Sequence, residues 1–121
     1  CREGAVLKQS RVLFNQGDIV SIDFNPTKGH EQAGRRPAVV VSNEDYQKNI
    51  GMCLVCPITN TIREYPTHVI LDDRTYTTGC VLCEQLRAID PSARNTNFVE
   101  KMPFDLIDEV LDIIDSFFEV A

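Results

Sequence analysis

Five short runs rich in apolar and β-branched residues, at 18–24, 37–42, 51–59, 67–71 and 79–89, are separated by clusters of Asn, Asp, Thr and Gly. That spacing constrains the fold more than any other feature. Each run reads as a strand, and short strands at this interval suit a small antiparallel barrel or sandwich. "DIVSIDF" alternates, which predicts Val20, Ile22 and Phe24 on one face and Ile19, Ser21 and Asp23 on the other. "PAVVVS" suits a buried strand that starts at Pro37, whose ring nitrogen has no hydrogen to donate to a ladder. "NEDYQKN" offers an Asn cap for a short helix or turn. The closing stretch, "PFDLIDEVLDIIDSFFEV", changes period: Phe104, Ile107, Val110, Leu111, Ile114 and Phe118 recur at helical spacing opposite an acidic face, behind Pro103 in the first turn. The expected architecture is α+β, an antiparallel barrel with a C-terminal amphipathic α-helix. A chain of 121 residues fits one domain that buries roughly two thirds of its unfolded surface.

Residues 15–121 are expected to form that domain, and residues 1–14 read as a processed end, a cloning remnant or the tail of a longer product. No apolar run approaches the roughly 20 residues of a membrane span, and the N-terminus lacks a secretory pattern, so a cytoplasmic location without membrane contact is expected. The net charge of −6 argues against a general polyanion binder. Its distribution tempers that, because six of the 18 acids lie between Asp105 and Glu119, leaving residues 1–102 balanced at 12 acids and 12 bases. Exposed charges more than about 8–10 Å apart are screened at cellular ionic strength, so a local basic patch elsewhere still attracts phosphate.

Cys53, Cys56, Cys80 and Cys83 form two CxxC pairs, the spacing of a four-thiolate zinc site. Both pairs lie inside strand-like runs, with Leu54–Val55 and Val81–Leu82 where a zinc knuckle needs turn residues. Residues three apart on a strand point to opposite faces, so buried free thiols and no metal are expected.

The chemistry-bearing stretch is "NPTKGHEQAGRR", a long loop broken by Asn-Pro, Gly29 and Gly34 and running straight into an apolar strand. Arg36 sits at that junction, where its backbone is fixed and its guanidinium, which forks onto phosphate oxygens, faces outward. Glu31 and His30 stand five to six residues upstream, within reach if the loop folds back. The plainer reading is a charged surface loop in which Arg and Glu pair without function. Thr59 ends the third strand. Glu84 and Gln85 interrupt the fifth in its apolar middle, where a carboxylate needs a partner. His68 reads as a strand residue without a role.

Taken in order, "GDIVSIDFNPTKGHEQAGRRPAVVVS", "GMCLVCPITN" and "GCVLCEQLRAIDPSAR" resemble the MazF/PemK/Kid family of bacterial toxins over about residues 17–120. The resemblance implies an SH3-like barrel with a C-terminal helix, a homodimer, and cleavage of single-stranded RNA at short sequence motifs without metal or other cofactor. Carried over residue by residue, it implies that Arg36, Thr59 and Glu31 are catalytic and that His30 and Glu84 are candidates for proton transfer. Lys28, Gln32, Arg35, Arg63, Gln85 and Arg87 would contact RNA. Glu84 stands where relatives carry Asp, and Leu82 replaces an arginine used in the Kid branch. The implied reaction is attack by the substrate's 2′-OH, giving a 2′,3′-cyclic phosphate and a 5′-OH, with Glu31 or Glu84 as base and His30 or Arg36 as proton donor. Phe24, Tyr46, Tyr65, Tyr76 and Phe98 are possible stacking platforms for bases, and Arg74 and Arg94 would add attraction for the backbone. A MazE-like antitoxin with a disordered acidic tail would silence the site. The alternative is a CcdB-like toxin, which poisons gyrase by binding alone.

Overall fold

The computed structural model describes residues 13–23 and 35–120. Phe24, Lys28, His30, Glu31 and Gln32, and with them most of the proposed loop site, lie outside the described residues.

The described chain folds into seven antiparallel strands and two helices: β1 (Asp18–Asp23), β2 (Arg35–Val40), α1 (Glu44–Ile50), β3 (Cys53–Thr59), β4 (His68–Ile70), β5 (Cys80–Leu82), β6 (Arg87–Ile89), β7 (Asn97–Lys101) and α2 (Phe104–Ser116). The strands run in the order β4-β5-β3-β2-β1-β7, with β6 beside β3. The α+β architecture expected from the sequence is present. Asn43 caps α1 by accepting the Tyr46 N–H at 2.9 Å.

The sheet is apolar on both faces, because each face has its own cover. Ile19, Val39, Cys56 and Ile58 share one core with Leu106, Ile107 and Val110 of α2. Val20, Ile22, Ala38, Val40, Cys53 and Val55 form the other with Phe14 and Ile89. Ile19, expected on a polar face, is therefore fully buried. The helix keeps the middle of its predicted stripe on this core, with Leu111 and Ile114 packed against it, but not the two ends. Leu106, Ile107 and Val110 are its buried residues, whereas Phe104 and Phe118 are 79% and 73% exposed.

Two strand boundaries depart from expectation in ways that build the site. Strand β2 begins at Arg35 and not at Pro37, so both arginines belong to the ladder: Arg36 pairs with Ile22 and Arg35 with Asp23. The run 79–89 is two strands joined by a 3₁₀ turn, Cys83–Gln85. Both halves pair with β3, Val81 against Ile58 and Arg87 against Val55. Residues 82–86 thus span what Cys56 and Pro57 span on β3, and the surplus is pushed outward. Strand β7 was not apparent in the sequence because "NFVEK" lies mostly exposed at the sheet edge beside β1.

Cys53, Cys56, Cys80 and Cys83 are free and buried. Cys53 and Cys56 face opposite cores, as residues three apart on a strand must. Burial, with Asp18 and Asp90 nearby, pushes the Cys53 thiol up to about 11. Cys56 is raised as well, first by its hydrogen bond with Cys83 and then by burial. Both therefore stay protonated at neutral pH, the form that neither attacks nor ligates. Among the described residues no helix is long and apolar enough to cross a membrane.

Candidate active site

The β2–β3 register pairs Ala38 with Pro57. Continued two residues past that last pair, the same register would bring Arg36 toward Thr59 and the side chains of the two to one face. The two line one open cavity of about 200 Å³ together with Pro57, Ile58, Leu82, Gln85 and Arg87. Four strands and the outward turn thus contribute to one concavity. Its neighbour, of about 270 Å³, shares Thr59, Leu82 and Gln85 and adds Thr61, Arg63, Tyr65, His68 and Glu84. Shared walls make the two a continuous groove across the end of β3.

Arg36 is exposed and has no hydrogen bond or ion pair to any described residue. Its neighbour on the other face is occupied: Arg35 donates from Nε to Ser21 Oγ at 2.9 Å and from Nη2 to the carbonyls of Ser21 and Asn95 at 2.7 and 2.6 Å. Those acceptors are neutral, so Arg35 keeps its positive charge but not its freedom. Thr59 Oγ1 accepts the Thr61 N–H at 3.3 Å, which leaves the hydroxyl hydrogen available to an anion in the groove. Close packing fixes the backbone beneath it. Gly79 has a φ of +114°, and a Cβ there would sit 1.8 Å from the Thr59 carbonyl oxygen, so only glycine fits.

Glu84 rides on the 3₁₀ turn, not in a strand as expected, and its side chain is 39% exposed. It does have the partners a half-sheltered carboxylate needs: Oε1 accepts from Thr67 Oγ1 at 2.9 Å, and Oε2 lies 3.1 Å from His68 Nε2. Burial alone would raise its pKa, but the hydrogen bonds from His68, its own backbone and Thr67 outweigh that and hold the carboxyl below its usual range. His68, read from the sequence as a strand residue without a role, is part of this wall. Its side chain is only 3% exposed, and Nδ1 lies 2.9 Å from the Arg63 carbonyl oxygen. Burial works against charge on the imidazole, yet the Arg63 carbonyl and Glu84 together raise its pKa above the ordinary 6.5. The pairing joins residues 16 apart in the chain, and no local sequence signal announces it.

Of the residues expected at the site, the structure brings together Arg36, Thr59, Gln85 and Arg87 in one cavity and Arg63 and Glu84 in the next. Among the proposed aromatic platforms, Tyr65 lines the groove. Tyr46, Tyr76 and Phe98 line neither cavity. Arg74, expected to attract the RNA backbone, lines neither cavity and is paired with Asp72 and Asp105.

Residues 15–118 match the family described as "PemK-like, MazF-like toxin of type II toxin-antitoxin system". The chain belongs to this family. Among the members it resembles, "Endoribonuclease toxin MazF" of Escherichia coli (strain K12) is 44% identical over 85 residues, which cover 70% of this chain and 76% of that protein. "Endoribonuclease PemK" of Escherichia coli is 36% identical over 102 residues, covering 81% and 77%. A crystal structure of MazF from Deinococcus radiodurans superimposes with a TM-score of 0.77 at 33% identity, covering 88% of this chain and 97% of that one. MazF in a MazE-MazF crystal from the same organism gives 0.81 at 29% identity, covering 91% and 100%. The MazF-like fold thus extends over nearly all of the described residues, and the groove at the end of β3 is built on that shared frame.

Proposed function

We propose that this MazF/PemK-like chain is an endoribonuclease toxin that cuts single-stranded RNA, chiefly messenger RNA, at short sequence motifs and so inhibits translation and growth. The reading rests on one observation above all: a guanidinium without a partner among the described residues and a strand-end hydroxyl, Arg36 and Thr59, share one cavity. A scissile phosphate there meets a permanent cation and a free O–H donor. The 2′-oxygen attacks phosphorus, the P–O5′ bond breaks, and the products are a 2′,3′-cyclic phosphate and a 5′-OH. Arg36 stabilises the negative charge that grows on the non-bridging oxygens, the term that usually dominates such reactions.

Removal of the 2′-OH proton falls to Glu84, which is held ionised at the groove wall, with Glu31 the competing carboxylate. The 5′-oxygen takes its proton from Arg36 or His30. Comparing Glu84→Gln with Glu31→Gln separates the two bases. Exposed Tyr65 offers a stacking face beside the phosphate site, and Gln85 and Arg63 offer hydrogen bonds to base edges. No metal or other cofactor enters this scheme.

Because relatives are known as MazE–MazF complexes, a MazE-like antitoxin is the proposed silencing partner, with the toxin acting in the cytoplasm as a homodimer. The test is a fluorogenic single-stranded RNA incubated with the protein in EDTA. Cleavage should persist, end in a cyclic phosphate, and fall by about 10²–10³-fold in Arg36→Ala. Intact RNA with the wild-type protein would instead favour a binding toxin of the CcdB type, and loss of cleavage in EDTA would remove the metal-free mechanism.

A further inference from the structure

His68 lies between two acceptors. A carbonyl oxygen has no hydrogen, so the 2.9 Å contact with Arg63 requires a proton on Nδ1. Oε2 of an ionised Glu84 has none either, so the 3.1 Å contact requires a proton on Nε2 as well. A neutral imidazole satisfies only one of the two, and leaves a lone pair facing either the Arg63 carbonyl or the Glu84 carboxylate inside a wall where the ring is nearly sealed from water. We propose that His68 is a doubly protonated positioning residue that keeps Glu84 ionised and aimed along the groove that holds Arg36 and Thr59. This inference rests on the endoribonuclease reading, since it gives Glu84 a substrate to act on.

The groups facing His68 divide by sign. From the 3₁₀ turn, Glu84 favours the charge; from the 60–67 segment, the Arg63 carbonyl favours it and the Arg63 guanidinium opposes it. The Tyr65 ring stands 5.1 Å away, tilted 36°, and from β5 the Cys80 sulfur lies 4.0 Å from Nδ1. Among the described residues Glu84 is thus the one carboxylate acting on the ring. With Thr67 holding Oε1 and His68 holding Oε2, both carboxylate oxygens are fixed and each keeps a lone pair for a 2′-OH. Deprotonating His68 removes the cation beside Glu84 and leaves one N–H for two acceptors, so the carboxylate loses its charge partner and competes with the Arg63 carbonyl for the remaining hydrogen. It is then held less firmly as a placed base.

Two measurements test this. The chain has two histidines, so the imidazole Cε1–H signals in an NMR titration are assigned by their loss in His68→Gln. The His68 midpoint should lie above 6.5, and Glu84→Gln should lower it by about one unit or more. In the pH profile of kcat/KM on a short single-stranded RNA, the wild-type alkaline limb should coincide with that midpoint. In His68→Gln the alkaline limb should vanish and the acid limb should move up by about one pH unit, because Glu84 loses its cation. A midpoint at or below 6.5, or a His68→Gln profile superimposable on wild type, overturns the proposal. If His68→Gln does not fold, the midpoint difference between wild type and Glu84→Gln decides it. Failure of the wild-type protein to cut RNA at any pH sinks the nuclease reading and the positioning role with it, while the NMR titration still determines whether the imidazolium–carboxylate pair exists.

Discussion

Arg36 and Arg74 are both exposed guanidiniums on one small domain, and the chain treats them in opposite ways. Arg74 lies after Asp72 in a tight turn and reaches Asp105 in the first turn of α2. It meets Asp72 through Nη2 at 2.8 Å and Asp105 through Nη1 and Nη2, both at 3.0 Å. Two carboxylates around one cation leave a net negative cluster, which repels phosphate. Arg36 has no carboxylate among the described residues and looks into a cavity with a hydroxyl opposite. Exposure and residue type are the same in both regions. What separates a structural arginine from a candidate anion site is whether the fold has already supplied the counter-charge.

The sharpest way to break this contrast is to remove the charge that no described carboxylate pairs. Arg36→Ala should reduce RNA cleavage by about 10²–10³-fold while the melting temperature stays within a degree or two, because no described residue depends on that side chain. Arg36→Lys keeps the charge but loses the fork and should recover only part of the rate. A large loss of stability in Arg36→Ala would mean that the guanidinium is a strut, and the contrast with Arg74 would collapse. A smaller effect is expected opposite it. Thr59→Val preserves shape and removes one hydrogen bond to a charged group, costing about 10–100-fold in kcat, read by single-turnover kinetics on the same RNA.

A third prediction concerns stability and pH. The pKa of His68 is raised above 6.5, so its contribution is complete below that value and is lost as pH rises through the folded-state pKa. That of Glu84 is lowered from 4.5, so its contribution is complete above that value and is lost as pH falls through the folded-state pKa. The two overlap between pH 4.5 and 6.5. Glu84→Gln should therefore melt below wild type by on the order of a few degrees in that window, and the gap should narrow on either side. A deficit that does not vary with pH from 4 to 9 would show that the carboxylate acts by packing alone.

The legible parts of the sequence were those decided locally. Strand runs, the Asn43 cap and the opposed facing of Cys53 and Cys56 follow from periods of two and from turn chemistry, which the chain displays residue by residue. Ile19 was misplaced because alternation cannot reveal that a helix 85 residues later covers the second face of the sheet. The break in 79–89 was half legible: Glu84 and Gln85 announced an interruption, but only pairing with β3 shows that the surplus bulges into the groove wall. Arg36 and Thr59 were each visible, and their meeting depends on β2–β3 register. His68 was missed since nothing near it in sequence distinguishes it from an ordinary strand histidine. Its partners come from a turn and from a carbonyl.

The weakest perturbation tests the other half of the contrast. Arg74→Ala removes a guanidinium that the sequence alone would count among those attracting RNA, yet cleavage should stay within about twofold of wild type if Asp72 and Asp105 already satisfy it, since rim charges that are paired contribute little to encounter. The same substitution releases the turn from the start of α2. Asp72 and Asp105 both hold pKa values below the ordinary carboxylate range because of Arg74, so in the variant both should titrate upward, measurable by carboxyl NMR. A marked fall in cleavage, steeper at low salt, would mean that Arg74 reaches substrate despite its two acids. Pairing would then no longer be the criterion that separates the arginines, and position along the groove would have to replace it.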